Sequence, residues 1–296
     1  MDVGIGLPNT IPGTDGAALI GWAKRAEGRG FSSLATIGRV IWPGYEELVA
    51  LAAAAGATER IGLLSNVMIG PARNTVLLAN QAASLDRLSG GRFTLGVGVG
   101  WRTDDYEAAG LDYHSRGRLL DEQLAELAAA WRGEHIGGTP KRVGPEPTRE
   151  SGVPVLVGGS TDRAVRRVVR WGAGWTAGGG SADQLGPFAA RVREAWAEAG
   201  RDGEPRVVAL TYFALGDDAE ERAAAYLSDY YGDFGNQMAA AIPKTAEALR
   251  ETVTFDTYHP FAPAVPASEI ELAGGVVSTA RERECVPSKR PAPFTA

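Results

Sequence analysis

Short apolar runs alternate with longer amphipathic stretches along nearly the whole chain. Val3–Leu7 stops at Pro8-Asn9, and Thr14-Asp15 then offers N-cap side chains for a helix reaching about Gly28. The same unit recurs as Ser33–Ile37 with Tyr45–Ala55, Ile61–Val67 with Thr75–Leu88, and Arg92–Val97 with Arg118–Trp131. Further on, Pro154–Val157 precedes Thr161–Trp171, Gly174–Ala177 precedes Ala182–Ala199, Arg206–Leu215 precedes Ala219–Tyr230, and Phe255–Phe261 precedes Ala267–Gly274. Repeated strand–helix units of this kind close as a single α/β domain, a (β/α)8 TIM barrel over residues 1–275, with its site built from loops at the strand C-termini. Two stretches break the rhythm. His135–Gly152 is rich in Gly, Pro and Arg and reads as a loop inserted between the fourth helix and the fifth strand, placed to serve as a lid. Residues 276–296 have no periodicity and carry Pro287, Pro291 and Pro293, so the C-terminal end reads as an irregular polar tail.

Composition narrows the function classes. The 296 residues are 44% hydrophobic, enough for one large core. Net charge is −6, with 30 basic residues scattered among 36 acidic ones; no basic stripe exists to track a phosphate backbone, which argues against nucleic acid as a partner. Cys285 is the only cysteine, so a disulfide within the chain and a cysteine-built metal site are both excluded. The opening MDVGIGLPNT has no basic segment before an apolar run, and no stretch of about 18 apolar residues occurs, which points to the cytoplasm and away from membranes. His114, His135 and His259 lack metal-ligand spacing, so no metal is expected.

Two motifs carry candidate chemistry. In LGVGVG, residues 95–100, the spacing is GxGxG after a fourth strand; a dinucleotide fingerprint needs GxGxxG after the first strand and a helix at once. With that excluded, the alternate glycines either let a flat ligand lie on the backbone or make room for bulky neighbours in the barrel. In VLVGGSTDRAVRRVVRWGAGW, residues 155–175, a strand ends at Gly158-Gly159, and Ser160, Thr161 and Asp162 lead into a helix. Free N–H groups and the positive dipole end there suit an anion, with Arg163 adding charge; the same residues equally form an ordinary cap after a glycine turn.

The segments GIGLPNTIPGTDG, ANQAASLDRLSGGRFTLGVGVGWRTDDYEAAGLDYHSRGRLLDE, PVLVGGSTDRAVRRVVRWGAGW and AWAEAGRDGEPRVVAL, in that order, resemble the luciferase-like monooxygenase superfamily over roughly residues 1–250. The resemblance implies a barrel oxidoreductase that acts on a small organic substrate, either with reduced FMN and O2 or by hydride transfer with coenzyme F420. A non-catalytic flavin- or ligand-binding barrel is the competing class, and a lyase or isomerase would want a lysine or paired carboxylates at strand ends. Also implied are a cis peptide at Asn66-Val67 beside the flavin ring, and a neighbouring wall of Gly98, Gly100, Trp101 and Arg102. Gly158, Gly159, Ser160, Thr161 and Arg163 would take the phosphate, and Gly178, Gly179 and Gly180 the pyrimidine end. Bacterial luciferase has a phosphate-binding arginine where this chain has Val99, which puts the charge pairing on Arg163 or Arg102. The strand-two position where many relatives carry His or Asp falls near Gly38; the catalytic candidates are Arg39, which could also be a substrate contact, and His259, which reads more readily as a buried structural histidine. Trp42 and Tyr45 are candidate substrate contacts or loop packing. Implied partners are a separate flavin reductase and a second copy of the chain, docked through helices two and three. Leu48, Leu51 and Ala52 of one and Leu77, Leu78 and Ala82 of the other would be the contacts, though all could equally be core.

Overall fold

The computed structural model describes residues 2–138, 140–179, 182–253 and 270–276. Within them β1 (Ile5–Gly6), β2 (Ser33–Thr36), β3 (Gly62–Ser65), β4 (Met68–Ile69), β5 (Phe93–Gly98), β6 (Val155–Gly158), β7 (Gly174–Gly179), β8 (Arg206–Phe213) and β9 (Ile270–Val276) form one parallel sheet in sequence order. The sheet curls until β9 lies beside β1, as in a TIM barrel. The helices are α1 (Gly16–Gly28), α2 (Glu47–Ala57), α3 (Thr75–Leu88), α4 (Thr103–Ala108), α5 (Arg116–Trp131), α6 (Asp162–Trp171), α7 (Ala182–Glu198), α8 (Ala219–Tyr231), α9 (Asp233–Ala241) and α10 (Ala246–Val253). Asp15, Glu46, Asn74 and Thr161 each accept a backbone N–H at the start of the helix that follows, so the sequence's polar residues end the loops where the orphan donors need them.

Strand residues point alternately inward and outward. Ala35, Leu64, Leu156 and Val208 form a buried layer inside the barrel, while Leu51, Leu78, Leu124 and Val168 seal the helices onto its outside. β3 and β4 are two halves of the third strand. Both pair with β5, Leu63 opposite Phe93 and Met68 opposite Val97, and the break between them is the cis peptide Asn66–Val67.

That break explains LGVGVG. A Cβ on Gly96 would stand 2.0 Å from the Ser65 carbonyl oxygen, one on Gly98 3.0 Å from Val67, and one on Gly100 3.2 Å from Ile69. The three glycines face three successive alternate residues of the broken strand, so they make room for a neighbour.

Several sequence expectations need correction. The eighth strand expected at Phe255–Phe261 lies outside the described residues, as do His259, Gly180, Cys285 and all of the tail but Val276; the last described strand, β9, falls where a helix was expected. A short apolar run such as IELAGGV has no decisive period, and pairing with β8 over its whole length makes it a strand. The insertion His135–Gly152 is no lid. It joins the end of α5 to the start of β6, the opposite face from the strand C-termini, and is fastened there: Thr148 N–H donates to Asp86 at 2.6 Å, and Arg149 donates to the Gly91 carbonyl. α4 begins three residues after Gly100, where a long loop was expected, and α9 and α10 follow α8 where no helix was assigned. Of the residues expected between two copies, Leu48, Leu51, Leu78 and Ala82 are core, and Ala52 and Leu77 are exposed.

Among the described residues no helix is long and apolar enough to cross a membrane.

Candidate functional site

A cavity of about 870 Å³ opens at the strand C-termini. Its walls come from Ile37–Arg39 after β2, the Asn66–Val67 break, Gly100–Arg102 after β5, Gly178-Gly179 of β7, Leu210–Tyr212 of β8, and one side of α8 and α9. The volume is that of a site for a cofactor-sized ligand.

Polar groups are fixed around this space in a definite pattern. Asn66 is buried; its Oδ1 accepts from Thr176 Oγ1 at 2.5 Å, and its Nδ2 has no partner among the described residues. Arg102 Nη2 is likewise buried and without a partner among the described residues. The Arg102 guanidinium lies 4.7 Å from the Trp101 ring centre and about as close to Tyr230 and Tyr231, at 5.5 and 5.4 Å. Burial, and after it the nearby Arg39, pull its pKa below the ordinary arginine value. A cation in this setting and an unpaired amide both lack acceptors, so the cavity is built for a ligand that brings them.

Arg39 is different. It pairs with Asp104 at 2.5 Å, lies 3.6 Å from Asp105, and packs over the rings of Trp42 and Tyr230. Asp105 in turn accepts from Val40 and Ile41 N–H. These contacts fasten the β2 end to α4.

The aromatic wall has a sequence signature. Tyr226, Tyr230, Phe234 and Met238 follow one another at four-residue spacing across α8 and α9. Tyr231 is hydrogen-bonded through its hydroxyl to Tyr212, and its ring is parallel to Trp101 at 6.5 Å. Burial is the first cause raising Tyr212, Tyr230 and Tyr231 above the ordinary tyrosine range, so all three stay neutral phenols at physiological pH.

Of the residues named from sequence, Arg39, Asn66, Val67, Gly100, Trp101, Arg102, Gly178 and Gly179 come together on this cavity. Side chains at Gly178 and Gly179 would meet nothing closer than Met238 at 3.7 Å, so bare backbone faces the space. Gly98 and Gly158 sit behind the wall, each against a methyl of Val67. Gly159, Ser160, Thr161 and Arg163 are exposed beside the end of β6, outside the cavity walls, with Thr161 capping α6 and Asp162 paired to Arg191. Trp42 and Tyr45 line a smaller neighbouring space, where Trp42 donates to the Thr10 carbonyl and Tyr45 to that of Thr14; both hold the loop after β2. Sequence reasoning missed the tyrosines, Phe234, Met238 and Asp105. The i, i+4 spacing of aromatics would have found the first group, whereas nothing local marks Asp105.

Among the described residues no three His, Cys, Asp or Glu side chains gather to hold a metal ion.

A family model described as luciferase-like monooxygenase matches residues 1–281. An uncharacterised protein of Mycobacterium tuberculosis is 33% identical over 233 residues, covering 68% of this chain and 80% of that one. The FMNH2-dependent dimethylsulfone monooxygenase of Pseudomonas putida is 25% identical over 195 residues, 62% of this chain and 53% of the enzyme. In three dimensions an F420-dependent secondary alcohol dehydrogenase, solved with an F420-acetone adduct, superposes with a TM-score of 0.73 at 16% identity over 95% of both chains.

Proposed function

The chain belongs to the luciferase-like monooxygenase family, and on that premise we propose that it is an oxidoreductase holding reduced FMN in the large cavity to oxygenate a small organic substrate. The observation that carries this reading is the pair of buried, unpartnered donors, Asn66 Nδ2 and Arg102 Nη2, on a cavity whose β7 side is bare glycine backbone. A planar heterocycle edged with carbonyl and ring-nitrogen acceptors satisfies both donors and can lie against Gly178-Gly179; the residues fit the group. When bound, the cofactor supplies the redox step. Asn66 and Arg102 hold the ring, and Trp101, Tyr231, Phe234 and Met238 cover it and keep water out. The exposed N–H groups at the start of α6, with Ser160 and Arg163, take the phosphate outside the cavity.

A second reading, hydride transfer with F420, is favoured by the match in fold to the F420-dependent alcohol dehydrogenase over nearly the whole chain. Titration of the purified protein with FMN, FMNH2 and F420 separates the two, and saturable binding of none of them overturns both. Arg102→Ala should weaken binding of the cognate cofactor about ten- to hundredfold, because a buried charged donor is worth roughly 1.5–3 kcal/mol. Arg163→Ala should cost less, since an exposed cation is screened by water. Equal binding by Arg102→Ala and the parent would move the ring site elsewhere.

The same proposal includes a separate flavin reductase as supplier of FMNH2 and a homodimer formed through α2 and α3. Val49 and Leu77, 64% and 62% exposed on those two helices, are apolar residues available for such a contact. Sedimentation should show a dimer at micromolar concentration that Leu77→Asp converts to monomer; a monomeric parent refutes it.

A further inference from the structure

Among the described residues walling the large cavity, the ionisable ones are Arg39, Arg102, Asp105 and the three tyrosines. The tyrosines are pushed away from neutral pH by burial, and Asp105 is engaged by Val40, Ile41 and Arg39. Behind this wall lies a second cavity of about 240 Å³, and Gly38 and Arg39 border both spaces. Glu47, the first residue of α2, faces the smaller one and is 2% exposed. Its Oε2 accepts from Arg73 at 3.3 Å, and its Oε1 lies against Gly38. A Cβ on Gly38 would stand 1.5 Å from that oxygen. The carboxyl therefore fills the place that a side chain at the end of β2 would take.

We propose that Glu47 is the group that gives and takes protons at this site, reaching the large cavity through the gap that Gly38 leaves. The charged and titratable groups around it are Arg73 before α3, Glu46 capping α2, Arg39 after β2, Asp105 of α4 and Tyr230 of α8. Burial pushes the carboxyl up to about 8; Arg73 pulls it down, and Glu46 and Asp105 add to the rise. Burial thus favours the neutral carboxyl, which can hold a proton at neutral pH. Transfer of that proton to an acceptor in the large cavity leaves a carboxylate beside Arg73, and water in the smaller cavity, rimmed by exposed Val40 and Tyr45, returns the proton. No other bond changes.

The inference rests on the cofactor reading of the large cavity, and one experiment keeps the two apart. The dissociation constants of FMN and of F420 are measured from about pH 6.5 to about pH 9 for the full chain and for E47Q, whose amide mimics the protonated carboxyl. The two proteins should bind equally at the acid end. Above pH 8 the parent should fall about tenfold behind E47Q, because an ionised carboxylate next to the cavity repels an anionic ligand. A Glu47 whose charge does not change in this range, or is not felt in the large cavity, would give parallel curves, and parallel curves overturn the inference. If the parent binds neither cofactor at any pH, the cofactor reading falls, and infrared difference spectra then decide on Glu47. A protonated carboxyl band at neutral pH that E47Q lacks upholds it as the proton-bearing group, and no such band rejects it.

Discussion

Gly38→Ala should destabilise the protein by about 2–3 kcal/mol, and removing the Glu47 side chain in the same molecule should restore most of that loss. The new methyl would meet three atoms of Glu47, Oε1 at 1.5 Å, Cδ at 2.1 Å and Cγ at 2.5 Å. Because Cγ is included, rotating the end of the side chain does not relieve the contact; the carboxyl must leave its pocket from χ1 outward and abandon Arg73. The backbone itself accepts alanine, since Gly38 is not among the glycines with positive φ. The loss is therefore steric and specific to one partner. Denaturant unfolding of the parent, Gly38→Ala, Glu47→Ala and the double variant gives the coupling, expected at about 1–2 kcal/mol in favour of the double variant. Strict additivity would mean that Glu47 and Gly38 do not share the space, and the account of the strand-two end would fail with it.

That pair also shows where reading the chain stops. Gly38 is visible in the sequence as a missing side chain at a strand end, and by itself it reads as a site without an acid or base. The compensating carboxyl arrives nine residues later from a different element, in the first turn of a helix that is otherwise apolar and alanine-rich. Local pattern explains Glu47 as a helix N-terminal acid, a favourable and ordinary position, so nothing in the sequence links it to Gly38. The link is tertiary.

The barrel, by contrast, was legible because each unit is decided locally. Asp15, Asn74 and Thr161 cap their helices, and short runs such as Phe93–Gly98 and Val155–Gly158 become strands wholly buried between helices and barrel interior. The Asn66–Val67 break was found through family resemblance. LGVGVG was legible as a need for space, but only the register of β3 and β4 on β5 shows which residues fill it. Direction of the chain decides the rest: an insertion after a helix lies at the strand N-termini, so His135–Gly152 could not have covered the cavity whatever its composition. The residues that line it from α8 and α9, Tyr231, Phe234 and Met238, come from a segment whose helical spacing was present but unread.

Glu47→Gln should make the protein more stable than its parent at alkaline pH, with the gap between them growing from about pH 4.5 to about pH 8 and constant beyond. The sign follows from where the proton is held. Glu47 ionises near 4.5 when the chain is unfolded and near 8 when it is folded and buried, so between those values the folded protein binds a proton that the unfolded chain has lost. Stability from this group is then complete below pH 4.5, falls as pH rises, and is gone above pH 8. At about 1.4 kcal/mol per pH unit, the parent loses up to roughly 3–5 kcal/mol that E47Q keeps. Other titrations are common to both proteins and cancel in the difference. The ion pair with Arg73 limits the gain, because the amide cannot replace a carboxylate opposite a cation, but Arg73 keeps its stronger contact, Glu46 at 2.5 Å. Chemical unfolding of both proteins at about pH 5, 7 and 9 measures the gap directly. A difference that stays level with pH, or widens toward acid, would mean that Glu47 is ionised in the folded protein at neutrality, and it could then hold no proton to give.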